Sequence, residues 1–402
     1  MEQQKDESLY AKMGVDASKK NVKAAFGKTN ETEYPGAWVN IITAFFNSDW
    51  AVTQHMDGDG SKMIQRLLHY FETGNKSILR GAADDALAMN TSDIAASGFV
   101  FGQTIFTDVL NLNLPPDVKE VLMAELAHRF GELRELYRSH GIDIYFLGGE
   151  IADLPDQVLS AVLDVAVTSY AKKEHLITGN VQDGDLIYGF ASDGQAAWEE
   201  NPNGGGMANG MTLARTISMS QEYNKKYPQL KGRNRYMGAF NIKDDNGLLF
   251  SRQLLSPTRQ WLIVIKILME NLIAANALHH LHGISVNTGG GATKIMNLGS
   301  GGIVYHKTLP EAPLLFQILH TLSAELWQNM YKTFNCGIGL DVVGSDDEAF
   351  RAALTKTSED TKVRLYKLGS CRAFSEELSG EEKHINTVIL STPYGTFSYS
   401  QR

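Results

Sequence analysis

Two apolar rhythms run along this chain. In "IDIYFLGGE" (142–150) and "SAVLDVAVTSYA" (160–171) the apolar residues suit strands. In "PPDVKEVLMAELAHRFGELRELYRSHG" (115–141) they recur every three or four positions, with prolines to open a helix and Gly141 to close it. "IDIYFLGGE" predicts a strand running into a Gly-Gly turn, with Glu150 just past it. Residues 38–57 read as apolar, strand-like segments ending in a glycine-caged loop. "ADDALAMNTSDIAASG" places Ala83, Leu87, Asn90, Ile94 and Gly98 at helical spacing, although Ser92 could instead cap a new helix.

A Gly/Asn/Asp cluster in "ITGNVQDGDLIYGF" then breaks the pattern, which sets a boundary near 176–184 and two domains, 1–180 and 181–402. A length of 402 residues agrees with two. The second half repeats an α/β pattern, with a long helix over 258–280 and a loop "NTGGGATK" (287–294). One flexible-looking insert, "QAAWEENPNGGG" (195–206), interrupts it. There is no internal repeat.

Composition removes several classes of protein. Hydrophobic content of 43% and charged content of 21% are globular values and exclude a disordered chain. The net charge of −9, with no Lys/Arg-rich block, points away from nucleic acid. Cys336 and Cys371 stand far apart, which suits a reducing compartment and no disulfide framework. The polar start "MEQQKDESLY" lacks the pattern of a signal peptide. In the most apolar stretch, Trp261 to Leu278, Lys266 and Glu270 intervene, so it reads as a buried helix and not a membrane span. A cytoplasmic location follows as the expectation.

The candidate chemistry lies in loops. "HMDGDGSK" (55–62) lacks the alternating oxygen ligands and closing Glu of a calcium loop, and its Gly-Ser-Lys order is not that of a Walker loop. It remains a strand-end loop with an acid and a cation. That suits Mg²⁺-nucleotide chemistry, and equally an Asp-Gly turn. Asp85 and Asp93, if one helix carries both, stand roughly 12 Å apart and cannot share one small ion. Glu150 could then complete a site, or all three could be solvated charges. "NTGGG" offers backbone N–H groups to an anion or makes a plain turn. His279, His280 and His282 lack the i, i+4 spacing of a helical zinc site.

The order of these loops resembles the phosphoribosylformylglycinamidine cyclo-ligase (aminoimidazole ribonucleotide synthetase) family over most of the chain. "YAKMGVD" (Tyr10 to Asp16) is followed by Lys28, where the family carries a lysine. "MDGDGSK" resembles T-D-G-V-G-T-K, and "DALAMNTSD" resembles D-L-V-A-M-x-V-N-D, which picks out Asp85 and Asp93. Asp108 matches the aspartate of F-L-D-Y. "GGEIADLP" resembles G-G-E-T-A-E-M-P and picks out Glu150. "NGMTLAR", "LLSPTRQW" and "NTGGG" resemble N-G-Y-S-L-x-R, L-L-x-P-T-x-x-Y and I-T-G-G-G. "MYKTFNCGIGL" is nearly M-x-x-T-F-N-x-G-x-G-M and is the most specific match.

There are departures. The histidine of S-S-G-x-H-S-N-G is missing where the chain reads "SDG", the insert and "GMANG". Val286-Asn287 replace a second histidine. The glycine-rich stretch after Lys28 shrinks to "YPGAW". Asp59 and Ile151 stand where Val and Thr are usual.

The resemblance implies a two-domain α/β (α+β) ATP-binding fold, each domain a mixed sheet with helices, assembled as a homodimer through segments 38–54 and 98–110. It implies an ATP- and Mg²⁺-dependent ring closure of a small ribonucleotide, with no nucleic-acid or membrane partner. Asp57, Asp85, Asp93 and Glu150 are assigned to metal and ATP. Lys28 and Lys62 are assigned to phosphates. Asp108, Thr288, Gly289 and Gly290 are assigned to ATP or substrate. Lys28, Asp93 and Asn209 are assigned to catalysis. The insert is expected to replace the missing histidine's contact through Asp193, Glu199 or Glu200. A thiamine-phosphate kinase-like enzyme and a non-catalytic nucleotide-binding paralogue are the alternatives.

Overall fold

The computed structural model describes residues 8–15, 25–26, 29–374 and 385–401. Two mixed sheets organise the chain. The first takes the order β1-β2-β5-β3-β4, formed by β1 (Ile42–Thr43), β2 (Trp50–Gly58), β3 (Thr104–Leu112), β4 (Ile144–Asp153) and β5 (Ala161–Lys172). All its pairings are antiparallel except β3 with β4. The second sheet uses β6 (Leu186–Ala191), β9 (Leu281–Val286), β10 (Ile303–Thr308), β11 (Ile338–Gly344), β12 (Leu365–Ala373), β13 (Thr387–Thr392) and β14 (Gly395–Ser400). Its order is β14-β13-β10-β12-β6-β11-β9, and β10–β13 is its parallel pair. A ribbon of β7 (Asp193–Gly194) and β8 (Asn203–Gly204) closes the insert.

Helices from each half meet between the sheets. Helix α2 (Gly81–Ala95) follows α1 (Lys62–Thr73) and lies on β2 and β5. Its other side meets α4 (Trp261–Ala274), which in turn packs on α5 (Glu348–Thr361). Being covered on both sides, α2 buries all its residues, which its small side chains permit. One continuous helix therefore carries Asp85 and Asp93, and Ser92 starts no second helix. The predicted amphipathic helix appears as α3 (Pro116–Ser139), opened by Pro116 and followed by left-handed Gly141 (φ 69°).

Two sequence expectations need correction. The helix over 258–280 is shorter: α4 ends at Ala274, Asn276 turns left-handed (φ 52°), and Leu281–Val286 is strand. Asn tolerates that conformation, which stops the helix. The strand through "IDIYFLGGE" does not stop at its glycines. Instead β4 continues to Asp153, with an irregularity opposite Phe106–Asp108, so Glu150 sits inside a strand.

Candidate functional site

Four loops converge where the two halves meet. Ser61 Oγ and Thr212 Oγ1 are 2.9 Å apart, which ties the "DGDGS" loop to "NGMTL". Asn209 donates to the Thr333 carbonyl at 2.6 Å, and Ala292 donates to that of Phe334 at 3.2 Å. These bonds bring "NTGGG" and "TFNCG" to the same place. A side chain on Gly291 would strike the Phe334 and Tyr331 carbonyls, so the third glycine of "TGGG" is a packing requirement.

A continuous polar chain crosses this cleft. Asn90 Nδ2 donates to the carbonyls of Asp57 and Ala86, both at 2.9 Å. Two carbonyl partners fix the amide's orientation, so its Oδ1 faces His55 Nδ1 at 2.9 Å and that nitrogen carries the hydrogen. His55 Nε2 lies 3.4 Å from Asp93 Oδ2. Trp38 Nε1 donates to Asp93 Oδ1 at 3.0 Å. Lys294 Nζ stands 3.7 Å from Asp93 Oδ2 and donates to Thr288 Oγ1 at 2.5 Å. Asp57, Asp93 and Thr288 thus belong to one network. His55, Trp38 and Lys294 complete it, and the sequence reading did not single them out. The available signal for His55 was its two-residue spacing from Asp57 on one strand face.

Other predicted residues fall elsewhere. Lys62 is fully buried, bonding Asp85 at 3.1 Å and the Ser256 carbonyl at 2.6 Å, so it does not present its charge to a phosphate. Asp85 is held by Lys62, Arg66 and both the N–H (2.8 Å) and Oγ1 (2.6 Å) of Thr258. Burial alone would raise its carboxyl, but the two cations and Thr258 more than offset that and hold it below the ordinary range. Asp85 joins the two halves and offers no free oxygen to a metal. Glu150 is exposed; it pairs in register with Val109 and, through it, with Asp164. Strand alternation puts that row on the opposite face from Asp57, Val165 and Asp108. Lys28 lies outside the described residues. The four acids assigned to metal therefore do not gather.

Other acids crowd glycines on neighbouring strands. A Cβ on Gly58 would collide with Asp164 Oδ1, and one on Gly149 with Asp108 Oδ1. The glycines of "DGDG" and "GGE" make room for carboxylates on neighbouring strands. Burial raises the Asp164 carboxyl, and the charge of Asp57 raises it further. Burial raises Asp108 as well. Asp59 is wholly buried with neither oxygen bonded, and desolvation pushes it well above the carboxylate range. Among the described residues no three His, Cys, Asp or Glu side chains form a metal cage. Mg²⁺ in nucleotide sites needs only one or two carboxylates beside phosphate and water. Asp57 and Asp108, which share one face of the sheet on either side of Val165, are the acids placed to meet that demand.

The histidine cluster is divided too: His282 pairs with Asp185 at 2.8 Å and His280 with Asp347 at 3.7 Å. In the insert, Glu199 is clamped by Arg259 at 2.8 and 2.9 Å, Asp193 pairs with Arg364, and Glu200 is exposed. Among the described residues no helix is long and apolar enough to cross a membrane.

No family model matches the chain. Curated relatives do. The phosphoribosylformylglycinamidine cyclo-ligase of Methanococcus vannielii is 26% identical over 345 residues, 85% of this chain and 83% of that protein. The same-named protein of Methanosarcina barkeri is 25% identical over 352 residues, 86% and 91% of the two chains. Among solved structures, T. maritima PurL complexed with FGAR shares 11% identity at a TM-score of 0.53, covering 95% of this chain and 49% of that one. Hydrogenase maturation protein HypE in complex with ATP shares 15% at 0.50, covering 96% and 94%. The chain has the two-sheet α/β fold of the aminoimidazole ribonucleotide synthetase superfamily. In sequence the chain is similar, over 85% of its length, to phosphoribosylformylglycinamidine cyclo-ligases, which are ligases.

Proposed function

We propose that this protein closes formylglycinamidine ribonucleotide to 5-aminoimidazole ribonucleotide in purine biosynthesis, with ATP converted to ADP and phosphate. The carrying observation is the polar chain from Asp57 through Asn90, His55, Asp93 and Lys294 to Thr288, which links the two loops that the family resemblance assigns to ATP and substrate. Chemically, the formyl amide oxygen takes the phosphoryl group of ATP, becoming a good leaving group. The amidine side's nitrogen then bonds to that carbon, loses a proton, and phosphate departs. Mg²⁺ would neutralise charge on the transferring phosphoryl group. Asp57 and Asp108, on the same face of the first sheet, would hold it. Donors on Asn209, Thr288 and the Gly289–Gly290 backbone would orient the reactants.

The cytoplasm and a homodimer complete the proposal. The face of the first sheet away from α2 exposes Met56 (62%) and Leu147 (65%), and Phe45 (96%) projects beside β1. Apolar side chains at that density on one sheet mark a protein interface.

Formation of aminoimidazole ribonucleotide by purified protein from ATP, Mg²⁺ and formylglycinamidine ribonucleotide tests the reading. Product formation supports it. ATP turnover only with a different acceptor, such as thiamine phosphate, would replace it with the kinase-like alternative. ATP binding without turnover on any acceptor would leave the non-catalytic paralogue.

A further inference from the structure

Lys294 sits where the glycine turn meets the other half of the cleft. Its Nζ lies 2.5 Å from Thr288 Oγ1, 3.7 Å from Asp93 Oδ2 and 5.0 Å from the centroid of the Trp38 ring. The Asp93 contact is an ion pair too long for a good hydrogen bond. Asp93 is moreover shared, since Trp38 donates to it at 3.0 Å and His55 Nε2 stands 3.4 Å away. Of its two cation or indole partners, the lysine is the more loosely held.

The surroundings suit an incoming anion. The amides of Gly289 and Gly290 donate to no acceptor among the described residues. A Cβ on Gly289 would meet nothing within 4 Å, so the space above the turn is open. The Lys294 side chain keeps 17% of its surface exposed. By contrast Lys62, the lysine the sequence reading sent to phosphate, is sealed inside the protein.

We propose that Lys294, with the free amides of Gly289 and Gly290, is the phosphate-gripping group of this cleft. An incoming phosphate takes the ammonium, and Asp93 remains paired with Trp38. Because Lys294 and Asp93 sit on opposite halves, phosphate binding replaces a contact between them. The inference rests on the nucleotide-dependent reading of the cleft but names a residue that reading did not contain. The phosphate is either the polyphosphate of ATP or the 5′-phosphate of the ribonucleotide.

Binding without turnover tests it. Wild-type protein is treated with an amine-reactive acylating reagent, and modification of Lys294 is followed by peptide mass spectrometry. Pyrophosphate and a non-hydrolysable ATP analogue protect Lys294 if the site takes the ATP polyphosphate. Ribose 5-phosphate protects it if the site takes the ribonucleotide's phosphate. Either result supports the proposal, and adenosine gives no protection. In calorimetry, Lys294→Gln weakens the protecting ligand roughly tenfold to a hundredfold, and Lys294→Arg recovers most of it. Unchanged Lys294 acylation with all three phosphates overturns the proposal, as does protection by adenosine alone. These readouts need no product, so a failed cyclisation assay with Lys294 still protected would sink the substrate assignment and leave the phosphate site standing.

Discussion

Asp164 stands over Gly58, with one carboxylate oxygen where a side chain on that glycine would begin. The strands pair in register at these two residues, so the acid shares the face of Gly58 and lies opposite that of Asp57. Gly58→Ala must displace either Asp164 or the Leu163 carbonyl, which also crowds the position. The expected result is a lower melting temperature. Gly131→Ala is the control: it lies in α3 with nothing within 4 Å of the added carbon, and should gain about 0.5–1 kcal/mol. A melting temperature of Gly58→Ala equal to that of wild type would show that this crowding costs nothing.

Asp57 and Asp108 predict how ATP stabilises the protein. ATP should raise the melting temperature only when Mg²⁺ is present, by mass action. Asp57→Asn and Asp108→Asn should abolish the shift, and Asp93→Asn should reduce it by upsetting the cleft network. Glu150→Gln, on the other face of the sheet, should leave it in place. Thermal scans of the four variants with and without Mg²⁺ decide this, and an intact shift in Asp57→Asn would count against the assignment.

Asp85 and Lys62 predict a stability that rises with pH at both ends of the scale. The folded carboxyl of Asp85 is held below the ordinary range, so the stability it contributes is present above that range and is lost as pH falls through it. Lys62, lowered by burial to about 8, adds a second limb of the same sign: its burial costs stability below that pH, and the cost fades as pH rises towards the ordinary lysine value. Asp85→Asn leaves Lys62 and Arg66 buried against a neutral group and should cost about 3–5 kcal/mol at neutral pH. Urea unfolding of wild type and variant across pH gives both limbs. A variant within about 0.5 kcal/mol of wild type would rule out this latch between the halves.

These cases show what was legible in the sequence. The long elements were, because their periodicity resides in their own residues: Pro116–Ser139 and Ala161–Lys172 match the reading closely. Motif order also showed which loops converge. It did not show which side chains remain open. Asp85 looks free along the sequence, yet its partners lie 19, 23 and 173 positions away. Glu150 looked like a loop acid because two glycines precede it, whereas pairing with β3 carries the strand through them. Lys294 was not singled out along the sequence, because only the fold sets it against Asp93.

Assembly is open to a direct test. The uncovered sheet face should pair with a second copy, giving a dimer by light scattering at micromolar concentration. Met56→Glu with Leu147→Glu places charges in that face and should give a folded monomer. A wild-type monomer with ATP bound would contradict the interface.

The insert gives the last prediction. Its Glu199 makes two hydrogen bonds to Arg259, whose side chain is only 1% exposed. The guanidinium also donates to the Ala191 and Gly194 carbonyls at 2.6 and 2.9 Å. Asn203 and Gly204 bond Pro257 and Ser256 on the loop whose Thr258 grips Asp85. Trp198 meets His140, just past α3, at 5.7 Å. Such a segment holds the halves together and leaves Glu199 no freedom to handle a substrate proton. Glu199→Gln should therefore cost about 3 kcal/mol, because it strands a buried cation, while any kcat measured below the melting transition stays within a few-fold of wild type. Arg259→Met added to it should recover part of the loss, since the stranded charge is gone. Replacing 195–206 by a short Gly-Ser linker should lower the melting temperature and spare ATP binding. A variant Glu199→Gln with unchanged stability and a hundredfold lower kcat would reverse this, and make Glu199 the acid–base group that stands in for the missing histidine.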